Sequence, residues 1–421
     1  MERISLNGIQ KKGNTITYDF SVSDGLAQYF TGKPFVIEYP ESIEKVPDAV
    51  AAVPFVCNVL PLIWLANAEL MVPELDEAFY HCIPEVRKGY EAMFPESEFK
   101  GVFSIGHICP CDKPAAGKSG VFFSGGLDAV STFITHMDEK PALISIWGAD
   151  IRYENVEGWK KVHTAIQEYA DKYYLPDIVI RSSFRSFDDE WALTKHYQKL
   201  LKENWWYGVK HGIGLLGHAA PYAYLYGIST VYIASSNCPA DGPQRCASDP
   251  KTDNHVRFAN CKVVHDGFEL NRQDKAKNAV DYVQRNNDQI TLHVCWQSQS
   301  GGNCCHCEKC YRTMIELLAE GEDPVSYGFT DAPSTIPQMR EFMLEGRLSQ
   351  SYADAYWVPA QATMKAKMDR VKKLPYWKDI RWVADADFTH VENLKMPLLW
   401  RIRTCLSKSK MYRAVGRLVK R

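Results

Sequence analysis

The sequence lacks an apolar run long enough to cross a bilayer. Its most apolar stretch, residues 49–65, falls short of the roughly 20 residues that a membrane-spanning helix needs. The stretch contains Pro54, Asn58 and Pro61 and lies among acidic segments. It is therefore expected to form a buried, broken helix inside a protein core.

A strong charge of either sign is also missing. The formal net charge is −2, so the overall balance does not indicate a nucleic-acid partner, and none is expected. Residues Met1–Ile4 do not begin a charged segment followed by an apolar core, so no secretory signal is expected and the predicted location is the cytoplasm. The sequence also has no low-complexity tract and no internal repeat.

What the sequence does contain fits a large folded protein. Hydrophobic residues make up 46% and aromatic residues 12% of the 421 positions, which favours a sizeable core over disorder. A chain of this length is long enough for two or three domains.

One short segment carries the strongest functional signal. An apolar strand, Val121–Phe123, leads into a Ser-Gly-Gly turn at residues 124–126, and a helix is expected to open at Leu127. Adjacent glycines let the backbone turn sharply and approach a ligand, while the start of a helix directs N–H groups back at the turn. The segment is therefore predicted to hold a phosphate; a tight turn without a ligand is the alternative. It is not the Walker loop, which needs Gly-x-x-x-x-Gly-Lys followed by Ser or Thr.

From residue 120 onward, predicted strands and helices alternate, as is typical of a parallel α/β sheet. Strands are expected at Val121–Phe123, Ala142–Trp147, Asp177–Arg181 and Thr230–Ser235. Ligands of open α/β sheets sit beyond the carboxyl ends of the strands, so the loops that follow these strands should meet at one crevice. The polar segment 239–275 is expected to be irregular, and either binds an anionic substrate or Mg²⁺ or forms a solvated insertion.

Four cysteines at metal-ligand spacing form the second strong signal. They are Cys295, Cys304, Cys307 and Cys310. Four thiolates at this spacing can close a tetrahedral zinc site, and in a reducing cytosol clustered cysteines more often bind metal than form disulfides. Either Cys305 or His306 could replace one of the four ligands. A redox or free-thiol cluster is the alternative.

The loop motif resembles the Ser-Gly-Gly-x-Asp-Ser signature of the PP-loop (N-type) ATP pyrophosphatases, which cleave ATP between the α and β phosphates and adenylate a substrate oxygen. Ser124–Asp128 match this signature, but Ala129 stands where the family has its last serine. With the four-cysteine motif, the chain is also similar to the 7-cyano-7-deazaguanine synthases. Over residues 1–330 it resembles the AMP-forming UDP-N-acetylmuramoyl-L-alanyl-L-glutamate epimerases of some bacteria, in stretches 67–95, 124–128, 211–233 and 295–310.

The resemblance implies a doubly wound, HUP-like PP-loop domain that uses ATP, Mg²⁺ and Zn²⁺. The implied catalytic residues are Ser124, Asp128 and His211. The implied nucleotide-binding residues are Ser124, Gly125, Gly126, Leu127, Asp128, Ser131, Asp150, Ser235, Ser236 and Asn237. Three plainer alternatives remain open: a surface carboxylate at Asp150, an ordinary turn at 235–237 and a capping or core histidine at His211.

The predicted architecture has three parts. An N-terminal α+β cap covers residues 1–110, with strands at 4–6, 14–20 and 34–39 followed by helices at about 48–67 and 75–93. The PP-loop domain with the cysteine site covers 118–325, and a helical extension covers 326–421. Residues 109–118, which contain Pro114 and Gly117, are expected to form a linker.

The end of the chain is basic. From Lys395 to Arg421 there are nine Lys or Arg residues and no Asp or Glu, with apolar residues spaced as in an amphipathic helix. Three alternatives remain open for this tail: a helix docked on the protein body, a peripheral contact with the inner face of a membrane, and a contact with nucleic acid.

The predicted activity is ATP-dependent, AMP-forming adenylation of a carboxylate or amide oxygen on a small or cell-envelope-linked substrate. The alternatives are a deazaguanine-synthase-type ligase that modifies a base or a protein, and a nucleotide-binding protein without catalysis, which the departure at Ala129 favours. The substrate pocket is expected between the cap and the carboxyl edge of the sheet, near His211 and residues 235–237.

Overall fold

The computed structural model describes residues 1–111, 117–295, 297, 301–343, 345 and 348–394. Within them the chain forms two compact units. The first consists of Met1–Asn271 and Thr291–Gly302, and the second of Arg272–Ile290 and the residues from Asn303 onward. The linker residues 112–116 and the basic tail 395–421 lie outside the described residues.

The first unit is built on one mostly parallel sheet of eleven strands. The strands are β1 (Arg3–Lys12), β2 (Thr15–Val22), β3 (Phe35–Glu38), β4 (Glu69–Asp76), β5 (Val102–Cys109), β6 (Lys118–Phe122), β7 (Ala142–Trp147), β8 (Asp177–Ser182), β9 (Ile228–Ala234), β10 (Arg257–Phe258) and β11 (Cys261–Asp266). Their order across the sheet is β10-β11-β9-β6-β7-β8-β3-β2-β1-β4-β5. The protein is therefore of the α/β class.

The helices of the first unit connect and cover these strands. They are α1 (Asp24–Ala27), α2 (Asp48–Ala51), α3 (Val53–Leu65), α4 (Glu77–Met93), α5 (Leu127–Thr135), α6 (Val156–Tyr173), α7 (Glu190–Leu201), α8 (His211–Leu216), α9 (Ala220–Tyr226) and α10 (Pro250–Asp253). A π-helical turn, Trp206–Lys210, precedes α8.

The five strands β11, β9, β6, β7 and β8 are all parallel to one another. Parallel strands that are covered on both faces read as continuous apolar runs, and β7 comes closest to this pattern. Most of β6 and the first four residues of β7 are buried. Parallel strands end at the same edge of a sheet, so the segments that follow β6, β7, β8 and β9 all begin at one edge.

The N-terminal residues extend this same sheet. Strand β3 pairs with β8 in antiparallel register, with Ile37 opposite Ser182 and Glu38 opposite Arg181. The Arg181 guanidinium lies 3.1 Å from Glu38 and between the rings of Trp147 and Tyr153, at 4.2 and 4.1 Å. One cluster of buried apolar side chains runs from Ile4 to Val263. The N-terminal strands and the parallel strands therefore share one core.

Two expectations about the elements are settled by the structure. The apolar stretch 49–65 is buried and helical, and it is broken at Ala52 between α2 and α3, as predicted. The expectation that 239–275 is irregular is wrong, since it contains α10, β10 and β11. Strand β11 is stabilised by its hydrogen-bonded pairing with β9. Its own short sequence does not indicate a strand, because the strand depends on this neighbouring backbone.

The second unit is helical in its described residues. Its helices are α11 (Arg272–Asn286), α12 (Glu308–Glu320), α13 (Ala332–Phe342), α14 (Gln350–Tyr352), α15 (Val358–Ala366), α16 (Met368–Val371) and α17 (Trp377–Asp385). The Arg272 guanidinium joins α11 to α12 through Glu316, at 3.2 Å, and through the Thr313 hydroxyl, at 3.0 Å. Trp357 is fully buried against Trp382 and Phe388.

Candidate functional site

The Ser-Gly-Gly segment forms the turn between β6 and α5. Gly125 has φ +73°, a left-handed conformation that favours glycine, whereas Gly126 has φ −70° and is the residue that precedes the helix. The Gly126 N–H donates to the Ser124 hydroxyl at 3.3 Å. The turn therefore lies at the carboxyl end of a central parallel strand and at the start of a nine-residue helix, as the sequence predicts.

A segment far along the chain closes over this turn. The His293 N–H donates to the Gly125 carbonyl at 2.7 Å, and a Cβ built on Gly125 would lie 3.2 Å from the His293 Cβ. The His293 ring binds the Gly301 carbonyl through Nε2 at 2.8 Å. No motif in the sequence marks His293, because its contact with the turn spans more than 160 positions of the chain.

The first two turns of α5 hold the remaining residues of the motif. Leu127, Ala129 and Ser131 are buried, while Asp128 is half-buried. Ser131 carries a hydroxyl two positions after Ala129, which stands where the family has its last serine. Its side chain is only 2% exposed, and its carbonyl accepts from the Thr135 hydroxyl at 3.1 Å.

The loops after the neighbouring strands carry the other predicted residues. After β9, Ser235 is buried, its hydroxyl donates to the Asn237 carbonyl at 2.6 Å, and Ser236 is exposed. After β7, Asp150 is exposed and lines a cavity of about 570 Å³. Ser235 and Asp150 thus follow strands on opposite sides of β6.

His211 begins α8 and is half-buried, with its ring edge-on to Trp206 at 5.0 Å. Trp206 in turn lies under the guanidinium of Arg185, at 4.0 Å, and Arg185 lines the same cavity as Asp150. The cavity is lined by Thr31, Lys33 and residues within 148–154 and 185–190, and neither His211 nor residues 235–237 are among them.

A buried Ser-Asp-His cluster stands at the end of β11. The Asp253 carboxylate accepts from the Ser248 hydroxyl at 2.6 Å and contacts His265 Nδ1 at 2.9 Å. The Asp253 and His265 side chains are each 1% exposed. His265 Nε2 has no hydrogen-bond partner within the part of the chain that the structure describes. Its strand neighbour Asp266, which lies in the segment 239–275, is paired with His136 Nε2 at 3.0 Å.

The four predicted cysteines come together. One sulfur atom from each of Cys295, Cys304, Cys307 and Cys310 lies within 4.8 Å of the other three. A tetrahedral site with zinc–sulfur distances of about 2.3 Å needs sulfur atoms about 3.8 Å apart, so a small contraction would close it. The Sγ atoms of Cys304 and Cys310 are already 3.9 Å apart. The cluster can therefore hold a metal ion such as zinc.

Cys305 and His306, the two alternative metal ligands, bind backbone carbonyl groups. The Cys305 thiol donates to the Asn303 carbonyl at 3.7 Å, in a backbone conformation with φ +57°. The exposed His306 ring binds the Cys304 carbonyl through Nδ1 at 2.5 Å. Cys307 also caps α12, because its sulfur accepts from the Cys310 N–H at 3.4 Å.

No protein-family model matches the chain, and no curated protein matches it either. The resemblance to PP-loop enzymes therefore rests on the motifs in the sequence. In the described part of the chain, no helix combines the length and the apolar character that crossing a membrane would require.

Proposed function

We propose that the protein is an ATP-dependent, AMP-forming enzyme that adenylates a carboxylate or amide oxygen of a small or cell-envelope-linked substrate and releases pyrophosphate. The observation that carries the proposal is the Ser-Gly-Gly turn between β6 and α5, with its left-handed Gly125. This turn is a backbone cradle at a helix start, which suits a phosphate group.

The strand order supports this placement. Across the sheet, the parallel strands run β8-β7-β6-β9-β11, which is 3-2-1-4-5 when they are numbered along the chain. Doubly wound nucleotide-binding sheets have this order, and they bind ligands where it reverses, between the first and fourth strands. Those strands are β6 and β9. The segments that follow them hold Ser124–Asp128 and residues 235–237, which are most of the predicted nucleotide-binding residues; of the other two, Ser131 lies in α5 and Asp150 follows β7.

In the proposed site the chain's own groups position ATP. The backbone N–H groups of residues 125–127 donate to phosphate oxygens, and the absence of a side chain at Gly126 leaves room for them. Ser124 adds a hydroxyl at the turn, and Asp128 at the start of α5 provides a carboxylate for Mg²⁺. A Mg²⁺ ion held there would neutralise negative charge on pyrophosphate as it leaves.

The catalytic role of His211 rests on the resemblance to the epimerases. Its ring contacts Trp206, which supports Arg185 in the wall of the cavity that follows β7 and β8.

We further propose that the four-cysteine cluster holds one structural zinc ion. Four thiolates fill a tetrahedral shell, so no position stays open for a substrate. A cytoplasmic location fits a protein that depends on four reduced thiols. A peripheral membrane contact through residues 395–421 belongs to the same proposal, and it rests on the basic sequence alone.

Nucleotide binding is tested with Gly126→Val. A Cβ on Gly126 would lie 3.2 Å from the Ser124 hydroxyl and 3.7 Å from the His293 carbonyl oxygen, so the fold should adjust while the larger side chain fills the phosphate cradle. Calorimetry with ATP and Mg²⁺ should show binding to the parent and none to the variant. Gly8→Val is the matched control, because a Cβ there meets nothing within 4 Å. Equal affinity of the Gly126 variant would contradict the assignment.

Reaction type is tested with ATP labelled at the α or the γ phosphate, together with muropeptide, sugar-acid and purine substrates. The expected products are AMP and pyrophosphate. Release of ADP would place the protein in another reaction class. A purine substrate with AMP release would favour the deazaguanine-synthase-type ligase, and binding without turnover would favour a non-catalytic nucleotide-binding protein.

A further inference from the structure

The cavity that follows β7 and β8 contains a charge pair that the proposed ATP chemistry does not use. We call it the β7–β8 cavity; it has a volume of about 570 Å³ and is lined by parts of 148–154 and 185–190 with Thr31 and Lys33. This volume lies in the range of small-molecule sites in proteins. All of its lining residues belong to the first unit.

A buried carboxylate lines this cavity. The Asp188 side chain is 4% exposed, and its Oδ2 atom lies 2.6 Å from the Nζ atom of Lys210, which is fully buried. Lys210 also donates to the Phe184 carbonyl at 2.6 Å and lies over the rings of Phe184 and Phe187. The other carboxylate oxygen, Oδ1, has no hydrogen-bond partner among the described residues. A buried acceptor without a donor is unfavourable, so a ligand donor at this atom would be stabilised.

The surroundings hold this carboxylate in place. Lys210 ends the π-helical turn Trp206–Lys210, and such turns occur frequently at functional sites. The Arg185 guanidinium is fixed by two bonds to Glu190, at 2.9 and 2.6 Å, and by one to the Ala149 carbonyl, at 2.9 Å. Burial raises the pKa of Asp188 to about 6, so the group is mostly ionised at neutral pH.

The rest of the cavity lining carries both signs of charge, with the cations Lys33, Arg152 and Arg185 beside the carboxylates of Asp150, Glu154, Asp189 and Glu190. Lys33 faces Glu154 at 3.7 Å, and Arg185 is paired with Glu190. Arg152 is exposed, and of the cations that line the cavity it alone forms no ion pair within the described residues. The carboxylate of Asp150 would repel an anion at its own position. Because Arg152 is the lining cation without an ion pair among the described residues, it is the side chain to which an anionic group would bind best.

We propose that the β7–β8 cavity binds the zwitterionic headgroup of an α-amino acid, free or at the end of a larger molecule. The ammonium group donates to Asp188 Oδ1, and the carboxylate is received by Arg152 at the rim. An α-amino acid carries an ammonium and a carboxylate on one carbon, so a single ligand can meet a carboxylate and a cation of the same cavity, whereas a simple anion would meet the buried Asp188 carboxylate. The inference does not depend on ATP binding.

The test is calorimetry on the full chain without nucleotide, with the proteinogenic α-amino acids added one at a time at millimolar concentration. At least one should bind. Its N-methyl derivative keeps the positive charge and should still bind, while its N-acetyl derivative loses the charge and should not. Arg152→Gln should weaken binding about tenfold or more, as expected for loss of a charge-assisted contact.

The matched control for Arg152→Gln is Lys45→Gln, which removes an exposed cation of the same unit away from the cavity and should leave affinity unchanged. Asp188→Asn should abolish binding. If the Asp188→Asn variant does not fold, because Lys210 has lost the carboxylate beside it, the result for Arg152→Gln still decides the test. The inference is overturned if no amino acid binds, if N-acetylation has no effect, or if Arg152→Gln binds as the parent does. Competition by ATP with Mg²⁺ would also overturn it, because the cavity would then belong to the nucleotide site.

Discussion

At the scale of single residues, His218 shows how completely burial can fix a titratable group. Its Nδ1 atom lies 2.7 Å from the Gly214 carbonyl, which can only accept, so Nδ1 carries the proton. Its Nε2 atom then accepts from the Ser182 hydroxyl at 2.8 Å. Burial lowers the pKa of His218 to about 4, and the imidazole is neutral in the folded protein at neutral pH.

This lowered pKa predicts a loss of stability in acid. Between pH 6.5 and about 4 the unfolded imidazole takes up a proton that the folded one does not, so the free energy of unfolding falls as the pH drops through this window. His218→Gln should remove this contribution, about 2 kcal/mol between pH 7 and pH 5. Urea denaturation of parent and variant at both pH values measures it.

Asp188 has the opposite effect in part of the same window. Burial raises the pKa of Asp188 to about 6 in the folded protein, so between pH 6 and 3.8 the folded state binds a proton that the unfolded state does not. This group therefore raises the free energy of unfolding as the pH falls through that window. The parent protein and the His218→Gln variant both carry Asp188, so its contribution cancels when their pH dependences are compared. Identical pH dependence of parent and His218→Gln would show that His218 does not titrate as described.

Residue-level features were the hardest to predict from sequence. The Ser124–Asp128 turn and the four cysteines are visible because neighbours in the chain are neighbours in space. His293, His218 and the Asp253–His265 pair carry no local pattern, since each acquires its partners through the fold. The role of His218 depends on a strand end that lies 36 positions away.

At the scale of elements, α12 begins within the cysteine cluster. Cys307 is both a predicted metal ligand and the cap of this helix. A metal ion bound by these cysteines would therefore be coupled to the start of the helix, because a ligand held by the metal would also fix the first turn.

Purified protein should contain one zinc per chain by metal analysis, and Cys307→Ser should lose the metal and unfold at a lower temperature. Cys305→Ser is the matched control: this cysteine is adjacent and buried, but its thiol faces the Asn303 carbonyl, so zinc should be retained. A zinc content near zero in the parent, or equal loss in both variants, would contradict the four-cysteine site.

Some strands can be predicted from their own sequences and others cannot. Strand β7 has the predicted bounds, and β6, β8 and β9 differ from prediction by a few residues, because each contains a short apolar run that the sequence shows. Strands β4 and β5 were not predicted. They contain exposed and half-buried residues at several positions and are held mainly by pairing with each other and with β1. Pairing of this kind depends on distant backbone and leaves little local pattern.

At the scale of the whole molecule, the eleven-stranded sheet makes the N-terminal residues inseparable from the parallel strands. Deleting residues 1–110 would expose the edge of β8 and remove much of a shared apolar cluster. Residues 111–421 alone should therefore aggregate or lack a cooperative unfolding transition by circular dichroism.

Full-length Glu38→Gln is the control for this deletion. It removes the partly exposed ion pair with Arg181 and keeps the strand pairing, so it should fold and unfold cooperatively. Cooperative folding of residues 111–421 would show that the N-terminal strands are an independent domain.

Because β3 pairs with β8, strand β3 must remain without this partner during synthesis until β8 has been translated. Glu38 is made well before its partner Arg181, and at roughly 5–20 residues per second the ribosome needs about 7–30 s to reach that partner. Through this interval the outer edge of β3 has no strand beside it. An unpaired strand edge is a template for association between chains. We therefore expect a chaperone that covers the edge of β3 during translation to reduce association between nascent chains.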